Sequence, residues 1–446
     1  MAGEWRAVAI GELAEIYDGP HATPPKTSDG PVFLGISNLT QGRIDLANSE
    51  HLSEDDYSRW TRRVEPQAGD VVFSYETRLG EAAIIPRGLR CCLGRRMGLL
   101  RVRPGNVDKR FLLYAYLGPQ FQETLRSRTI HGSTVDRIPL IDMPKFPIEV
   151  PANINEQRAI AYILGTLDDK IEVNRRMNET LEAMARALFK SWFVDFDPVR
   201  AKCRGDLYGR PELGSHKGCP YITSEILALF PDRFEDSELG EIPKGWQAVP
   251  LPDVIDVNPT RALRKGVDAP YLDMANMPTQ GHSPDDVVDR AFGSGMRFTN
   301  GDTLVARITP CLENGKTAFV DFLEAGQVGW GSTEYIVLRP KPPLPDEFAY
   351  CLARGTEFRD FAIQSMTGSS GRQRVPTESL SHFHMVTAPN PIAEQFGQLI
   401  KPLFARASAV TKESRTLAAL RDTLLPKLIS GELRVDHAAK IVAGAV

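Results

Sequence analysis

The stretch of sequence that decides the fold is residues 160–192, IAYILGTLDDKIEVNRRMNETLEAMARALFKSW. One set of positions in it advances in steps of four and three residues: Ile160, Leu164, Leu167, Ile171, Asn174, Asn178, Leu181, Ala185, Leu188 and Trp192. This spacing is typical of a helix that packs along a second helix in a coiled coil. The two asparagines in the seam cost stability but can fix the register. The stretch predicts an uninterrupted helix of about 38 residues, roughly 57 Å long at 1.5 Å per residue.

A second stretch near the C-terminus has the same spacing. Its seam positions are Ile392, Phe396, Leu399, Leu403, Arg406, Val410, Glu413, Leu417, Leu420 and Leu424. Arg406 and Glu413 are the polar members of this seam. We expect Pro402 and Pro426 to kink or segment the helix, and Gly431 to end it. The prediction is that the two helices pair antiparallel as a spacer; the alternative is that each covers the core of its own domain.

The sequence ahead of each helix is repeated at low identity. Five blocks recur in the same order, at offsets between 232 and 241 residues: 5–13 with 246–254, 33–39 with 271–277, 69–73 with 301–305, 137–139 with 374–376, and 154–157 with 392–395. Collinear order is harder to obtain by chance than one matching block. The chain is therefore predicted to hold two copies of one plan, each a globular part followed by a long helix. Short β-branched and aromatic runs broken by Gly, Pro and Asp, beside helical stretches, predict the α+β class.

The length of 446 residues already requires more than one domain. The predicted division is a first domain at 1–153, a helical region at 154–194, a loop-rich connector at 195–245, a second domain at 246–391, a helical region at 392–433 and a tail at 434–446. The N-terminus has no signal-peptide pattern, and no apolar run is long enough to span a membrane. The six cysteines form no disulfide framework or zinc spacing. We expect a cytoplasmic protein that binds no metal.

The motifs of several enzyme classes are missing. No Asn/Asp-Pro-Pro-aromatic loop of an amino-methyltransferase occurs, and Gly315-Lys316-Thr317 lacks the first glycine of a phosphate-binding loop. Asp168-Asp169-Lys170 resembles a nuclease Asp-x-Lys pattern, but it lies inside the long helix, where we interpret it as a solvated face. The sequence thus favours a chain without catalytic residues. A self-contained enzyme that modifies or cleaves DNA remains the alternative.

Positive charge is concentrated although the whole chain carries a formal charge of −4. Residues 78–110 contain nine basic residues against two acidic ones, a local charge of +7. Two polar loops, around 126–137 and 367–374, follow in the two copies. The candidate DNA contacts are Arg78, Arg87, Arg90, Arg95, Arg96, Lys109, Arg126, Arg128, Ser133, Thr134, Arg137, Arg307, Lys316, Ser369, Ser370, Arg372, Gln373 and Arg374.

These residue types suit nucleic acid. Arginine forms paired hydrogen bonds with guanine and with phosphate, Gln373 can read adenine, and Ser, Thr and Gly amides suit phosphates. The alternative is structural: a solvated basic face for 78–110, and ordinary turns for the two polar loops.

The whole chain resembles the specificity subunits of type I restriction–modification systems, which serve in defence against phage. The resemblance is carried by five segments: Asn155-Glu156-Gln157, Leu167-Asp168-Asp169-Lys170-Ile171, ALFKSWF at 187–193 with DFDP at 195–198, and LLPKLISGEL at 424–433. It implies that the two globular parts are target-recognition domains, that the helices form an antiparallel coiled-coil spacer, and that each domain reads one half of a bipartite double-stranded DNA target.

The resemblance also implies partners. Two methyltransferase (M) subunits and then restriction (R) subunits would assemble around the chain, and S-adenosylmethionine, ATP and Mg²⁺ would bind to those partners rather than here. The weak match between the two globular parts suggests that they read different half-sites. A protein scaffold without DNA, which uses the coiled coil to join partners, is a further alternative.

Overall fold

The computed structural model of the chain describes residues 4–40, 42–46, 49–132, 135–204, 222–369 and 371–445. The chain divides into two compact units. Unit 1 consists of Met1–Glu172 and Arg415–Val446, and unit 2 consists of Val173–Ser414. Each unit is described by itself below.

The helices of the described residues are α1 (Ile10–Leu13), α2 (Glu54–Trp60), α3 (Lys109–Leu117), α4 (Pro119–Arg128), α5 (Ile154–Phe193), α6 (Asp197–Cys203), α7 (Ser224–Leu229), α8 (Leu251–Val254), α9 (Glu347–Ala353), α10 (Thr356–Gln364), α11 (Asn390–Ile429) and α12 (Val435–Ala443). Single 3₁₀ turns lie at Ile36–Asn38, Met143–Lys145 and Thr377–His382. No described helix is long and apolar enough to cross a membrane.

The strands of unit 1 are β1 (Trp5–Ala9), β2 (Ala14–Asp18), β3 (Thr27–Leu34), β4 (Leu39–Thr40), β5 (Arg43–Ile44), β6 (Glu50–His51), β7 (Val71–Ser74), β8 (Ala82–Ile84), β9 (Cys91–Leu93), β10 (Met97–Val102) and β11 (Pro147–Pro151). Those of unit 2 are β12 (Phe234–Ser237), β13 (Gly240–Pro243), β14 (Gln247–Pro250), β15 (Ile255–Val257), β16 (Asp268–Leu272), β17 (Val288–Ala291), β18 (Met296–Phe298), β19 (Thr303–Ala306), β20 (Thr317–Phe319), β21 (Gly329–Gly331), β22 (Tyr335–Pro340) and β23 (His384–Thr387).

The two globular parts have closely similar topologies, and the second sheet of unit 2 has the additional strand β18. In unit 1 an antiparallel sheet has the order β2-β10-β7-β8, a second sheet has the order β6-β3-β9 with β3 and β9 parallel, and β1 pairs with β11. In unit 2 the corresponding orders are β15-β22-β19-β20, β17-β16-β21-β18 with β16 and β21 parallel, and β14-β23. The internal repeat and the α+β class predicted from the sequence are therefore confirmed. The boundaries predicted for the six segments remain predictions.

Hydrophobic burial joins each domain to parts of both long helices. In unit 1 one core contains Phe111 and Tyr116 of α3, Leu164 and Leu167 of α5, and Leu424 of α11. In unit 2 an aromatic cluster joins the C-terminal half of α5 to the N-terminal half of α11. The Phe193 ring lies 5.0 Å from the Phe396 ring and 5.1 Å from the Phe348 ring, edge to face in both pairs. Such contacts add to the burial of large apolar surfaces.

The helices run antiparallel within unit 2. The Asn178 Nδ2 donates to Thr411 Oγ1 at 2.9 Å, and Asn174 Nδ2 donates to Glu413 Oε2 at 2.9 Å. Further along, Phe189 contacts Phe396. Advancing along α5 thus means moving backward along α11, as predicted. Asn174 is buried, so its hydrogen bond is a specific constraint on the register of the pair.

The pair in unit 1 is held by a buried ion pair. Arg421 Nη1 of α11 lies 2.9 Å from Asp168 Oδ1 of α5, and the Tyr114 hydroxyl donates to Asp168 Oδ2 at 2.5 Å. Burial and, to a lesser extent, the neighbouring Asp168 carboxylate raise the pKa of the Tyr114 hydroxyl well above its ordinary value. The prediction that Asp168 belongs to a solvated face is therefore wrong, because its partner comes from a distant part of the chain. It holds for Asp169, whose side chain is 69% exposed.

The predicted seam is right for α5 and partly wrong for α11. On α5, Leu164, Leu167, Ile171, Asn174 and Leu188 are buried, while Asn178 and Leu181 are half-buried. On α11, Val410, Leu417 and Leu424 are buried, but the described seam positions Leu399, Leu403 and Leu420 are only half-buried. Ile400, Phe404, Ala407 and Arg421, which lie outside the predicted seam, are buried as well. Arg406 is exposed and is not part of the seam.

The prolines do not segment α11, which runs from Asn390 to Ile429. The prediction was that they kink or segment the helix, and segmentation is wrong. Pro402 is exposed, as is Gln398 one turn earlier, so the carbonyl that loses its amide partner can be hydrated. The packing of Ile400 and Phe404 outweighs the lost hydrogen bond. Gly431 does end the helix: it has φ +73°, and Leu433 N donates to Lys427 O at 2.9 Å.

Residues 195–245 hold more regular structure than a loop-rich connector would. Helix α6, helix α7 and the β12–β13 hairpin lie there, and residues 205–221 are outside the described part of the chain. The aromatic rings of Phe196 and Phe230 contact Trp246. The described part of this segment therefore packs on unit 2.

Candidate nucleic-acid interface

Three loops of the first domain meet at one end of its antiparallel sheet. Strand β7 ends at Ser74, which pairs with Met97 at the start of β10. The backbone of Arg137 bridges to that of Glu76 and of Ile130. This brings together residues 75–81, 94–96, 129–132 and 135–138, which we call the first loop end. Loops at the end of a rigid sheet are where binding residues are commonly displayed.

Several predicted contacts lie at the first loop end. Arg95 and Arg137 are exposed there. Arg78 Nη2 is 2.9 Å from Glu81 Oε1, and Arg96 Nε is 2.7 Å from Glu76 Oε2. Arg126 and Arg128, in the last turn of α4, are exposed beside it. Ser133 and Thr134 lie outside the described residues. The described part of the first loop end carries four exposed or half-exposed arginines, Arg78, Arg95, Arg96 and Arg137.

The remaining basic residues of 78–110 lie elsewhere. Val71 pairs with Ile84 and with Leu100 at the opposite end of the sheet, and the residues that follow those strands include Arg87 and Arg103. Arg90 pairs with Glu54 through two hydrogen bonds of 2.9 and 2.8 Å. Other basic side chains at that end are tied to the fold: Arg101 to Asp70, Arg110 to Asp169, and Lys109 against Gly69. The local charge of +7 therefore does not form one surface.

The second domain forms a corresponding second loop end from residues 307–316, 332–334, 365–369 and 371–375. Arg374 bridges by its backbone to Ile308 and Thr367, as Arg137 does to Glu76 and Ile130 in the first domain. Arg372 and Ser369 are exposed, and Gln373 is half-buried with its carbonyl accepting from Thr309 N at 3.0 Å. Ser370 is outside the described residues.

Two predicted contacts of the second loop end have structural partners. Lys316 Nζ donates to the carbonyls of Met274 and Ala275 at 2.5 and 3.0 Å, so it holds the loop after β16. Arg307 Nε donates to Glu334 Oε2 at 3.2 Å. Lys316 is thereby oriented toward the backbone rather than toward an external ligand.

The sequence analysis missed one residue of this end, Glu334. Arg374 Nε donates to Glu334 Oε1 at 2.8 Å and to Oε2 at 2.9 Å, and Arg374 Nη2 lies 2.8 Å from Oε1. Glu334 directly precedes β22, as Arg96 directly precedes β10. Aligning the repeats through these strands would have revealed the charge reversal between Arg96 and Glu334.

The described residues contain no group of three or more His, Cys, Asp or Glu side chains that could hold a metal ion. The tyrosine below the first loop end, Tyr75, donates to Asp18 Oδ1 at 2.9 Å. Burial, followed by that hydrogen bond, raises the pKa of Tyr75 above its ordinary value, so its hydroxyl stays protonated at neutral pH. The chemistry available at both loop ends is therefore hydrogen bonding and charge.

Comparison with known proteins gives a consistent result. The family model of the type I restriction modification DNA specificity domain matches residues 3–183. The MjaIX type I restriction enzyme specificity subunit of Methanocaldococcus jannaschii is 25% identical over 466 residues, covering 97% of this chain and 94% of that protein. The HindI specificity subunit of Haemophilus influenzae is 25% identical, over 68% of this chain and 72% of that protein.

A solved structure has the same fold. The crystal structure of the type I restriction–modification S subunit from M. genitalium aligns with a TM-score of 0.55 and 15% sequence identity, over 96% of both chains. The predicted layout of two α+β domains, each followed by a long helix, is confirmed by this likeness.

Proposed function

We propose that the chain is a specificity subunit of a type I restriction–modification system, which its similarity to that family over residues 3–183 and to the MjaIX subunit supports. In this role it selects a bipartite DNA target, and each loop end reads one half of it. The observation that carries this proposal is the repeated topology, in which the same three loops meet at the same end of each domain. A chain with two equivalent reading surfaces suits a target with two short specific parts.

The loop ends supply what DNA recognition needs. Exposed arginines can neutralise phosphates, which gives affinity without sequence preference. Side chains such as Gln373 and Arg374 can contact base edges in the major groove, where each base pair presents a distinct pattern. The two ends differ in their side chains, so the two half-sites are expected to differ.

The helices α5 and α11 act as the spacer in this proposal. Each is 40 residues long, or roughly 60 Å at 1.5 Å per residue. Because DNA turns once per about 10 base pairs, two reading surfaces on a stiff support recognise half-sites at one separation and on one face of the duplex. The buried Asn174–Glu413 and Asp168–Arg421 contacts fix the register on which that separation depends.

The chain itself is non-catalytic in this proposal and acts in the cytoplasm. Two methyltransferase subunits bind to it, and restriction subunits join that complex. S-adenosylmethionine, ATP and Mg²⁺ bind to those partners. The similarity to the type I specificity subunits supports this assignment.

Methylome sequencing tests the function directly. A host that carries the methyltransferase gene is sequenced with and without this chain. The proposal expects a bipartite methylated motif that appears only with the chain. If the complex assembles and the host DNA shows no bipartite methylated motif, the proposal is refuted.

A domain exchange tests the modular part of the proposal. Replacing residues 1–153 by the first domain of another specificity subunit should change one half-site and leave the other intact. A change in both half-sites would contradict the assignment of one half-site to each domain. The purified chain alone, with S-adenosylmethionine or Mg²⁺ and DNA, should show no turnover, in contrast to a self-contained enzyme.

A further inference from the structure

The second loop end contains an arginine whose orientation is set by a carboxylate. We propose that Glu334 positions Arg374 so that Arg374 reads a guanine in the half-site of the second domain. This inference rests on the proposed function and names the base recognised at that surface. Glu334 is a positioning residue, and Arg374 is the residue that contacts the DNA.

The geometry fixes one edge of the Arg374 guanidinium. Its Nε donates to both oxygens of Glu334, and its Nη2 lies 2.8 Å from Oε1. Arg307 approaches the same carboxylate from the other side, with its Nε 3.2 Å from Oε2. The Glu334 side chain is only 20% exposed, whereas that of Arg374 is 44% exposed. A mostly covered carboxylate therefore holds an arginine that still faces solvent.

The other edge of Arg374 stays available. Within the part of the chain that the structure describes, no hydrogen bond or ion pair involves Arg374 Nη1. The Nη1 and Nη2 edge has two parallel N–H groups, which match the O6 and N7 acceptors of guanine. An arginine that must find this geometry alone loses roughly 2 kcal/mol of rotamer entropy. In this structure Glu334 already restricts the rotamers of Arg374, so less of this entropy is lost on binding DNA.

The contacts argue for a base rather than a phosphate. A phosphate needs positive charge, and Glu334 removes charge: one carboxylate between Arg307 and Arg374 leaves a single net positive charge. Such an arrangement weakens a purely electrostatic contact and improves a directional one. Arginine also forms paired hydrogen bonds with phosphate, so it is the reduced charge together with the fixed orientation that favours a base.

The first domain has no carboxylate at the position that corresponds to Glu334. At the position of Glu334 it has Arg96, which contacts Glu76 at 2.7 Å. Arg137, the counterpart of Arg374, is exposed and makes no side-chain ion pair with a described residue. Arg137 is therefore suited to a phosphate contact. The two corresponding arginines thus have different tasks, which is consistent with different half-sites.

The test uses the complete complex of this chain with its methyltransferase subunits. Glu334→Gln removes the negative charge of the side chain and keeps its size, and Arg374→Lys removes the paired donors and keeps the charge. Asp256→Asn is the matched control, because Asp256 forms an ion pair of 3.4 Å with Lys341 at the opposite end of the same sheet. Methylome sequencing gives the base preference, and competition binding at fixed salt gives affinity for matched and random DNA.

The wild type should show a guanine in the half-site of the second domain. Arg374→Lys should reduce the preference for that guanine by about 5- to 150-fold, and Glu334→Gln should reduce it by about 5-fold or more. Because Glu334→Gln also removes a negative charge, affinity for random DNA should stay the same or rise. A merely structural role would lower both specific and random binding. Asp256→Asn and the first half-site should be unaffected.

Three results would overturn the inference: no guanine in that half-site, an unchanged preference in both variants, or an equal loss on specific and random DNA. If Glu334→Gln does not assemble, Arg374→Lys decides by the same criteria, because Glu334 is then in place. Failure of the proposed function can be distinguished from failure of this inference, because the wild-type complex would then show no bipartite motif at all.

Discussion

The neighbouring residues Asp168 and Asp169 offer a sharp test of how the helix pair is stabilised. Asp168 has a 17% exposed side chain and contacts Arg421, which is 8% exposed. Replacing Asp168 by Ala leaves a buried guanidinium without this carboxylate and leaves the Tyr114 hydroxyl without its acceptor. Removing one partner of a buried ion pair costs about 3–5 kcal/mol.

The matched control is Asp169→Ala, one position further along the same helix. Asp169 pairs with Arg110 at 2.8 Å, but its side chain is 69% exposed, and exposed pairs contribute only about 0–1 kcal/mol. The gain in helix propensity from Asp to Ala is the same in both variants. The difference between the two therefore isolates the effect of burial.

Thermal unfolding followed by circular dichroism measures the effect. For a unit of this size, 1 kcal/mol shifts the midpoint by about 2–4 °C, so Asp168→Ala should lower it by about 6–20 °C and Asp169→Ala by about 4 °C or less. The double variant Asp168→Ala/Arg421→Met should recover most of the loss, since it removes a buried guanidinium that has lost Asp168 and keeps only the exposed Asp422 as its carboxylate partner. Equal shifts for the two single variants, or no recovery in the double variant, would refute the reasoning.

Three further predictions concern unit 2 and the spacer. Burial raises the pKa of Glu347 above its ordinary value of 4.5, so its stabilising contribution is present below pH 4.5 and is lost as the pH rises through the folded-state pKa. Glu347→Gln should therefore stabilise the folded protein by on the order of 1 kcal/mol at pH 7 and not at pH 4. A gain in thermal stability that is equal at both pH values would contradict this. Asn174→Ala removes a buried donor to Glu413 and should lower the free energy of unfolding in urea by about 1–3 kcal/mol. The control Thr180→Ala, at an exposed position, should lower it by about 0.5 kcal/mol or less. Similar losses in the two variants would exclude a role for the buried contact. Inserting seven residues into both α5 and α11 lengthens each helix by roughly 10 Å, or about 3 base pairs at 3.4 Å each. Methylome sequencing should then show a longer DNA segment between two unchanged half-sites. If that segment keeps its length in an assembled complex, the two helices do not set the separation of the half-sites.

The periodicity of α5 was sufficient to predict its buried face, but that of α11 was not. Apolar residues are adjacent at Leu399-Ile400 and again at Leu403-Phe404, so two seams fit the spacing equally well. The structure buries Ile400 and Phe404 fully, because the Phe404 ring packs against Tyr350 of α9 and Phe319 of β20. A seam chosen for a partner helix alone cannot account for a helix that packs against a globular domain as well.

The burial of Asp168 could not be predicted for a related reason. A local window shows three charged residues in a row, a pattern typical of a solvated face. The partner of Asp168 is 253 residues away, and only the antiparallel pairing brings it into contact. Once that pairing is assumed, however, a charge directly beside the seam of one helix predicts an opposite charge beside the seam of the other, and Arg421 could have been sought.

Basic residues that are close together in the sequence, such as those of 78–110, need not be close together in the structure. The surface where DNA is expected to bind depends on their positions in the structure. Strands β7 to β10 connect at alternate ends of their sheets, so the arginines of 78–110 are divided between the two ends. Those at the far end are largely tied to carboxylates of the fold, such as Arg90 to Glu54 and Arg101 to Asp70. The first loop end gains its positive charge instead from loops far apart in sequence, including Arg137. A binding surface on such a sheet is therefore assembled by topology, and the topological partners of a residue predict its role better than its neighbours in the chain.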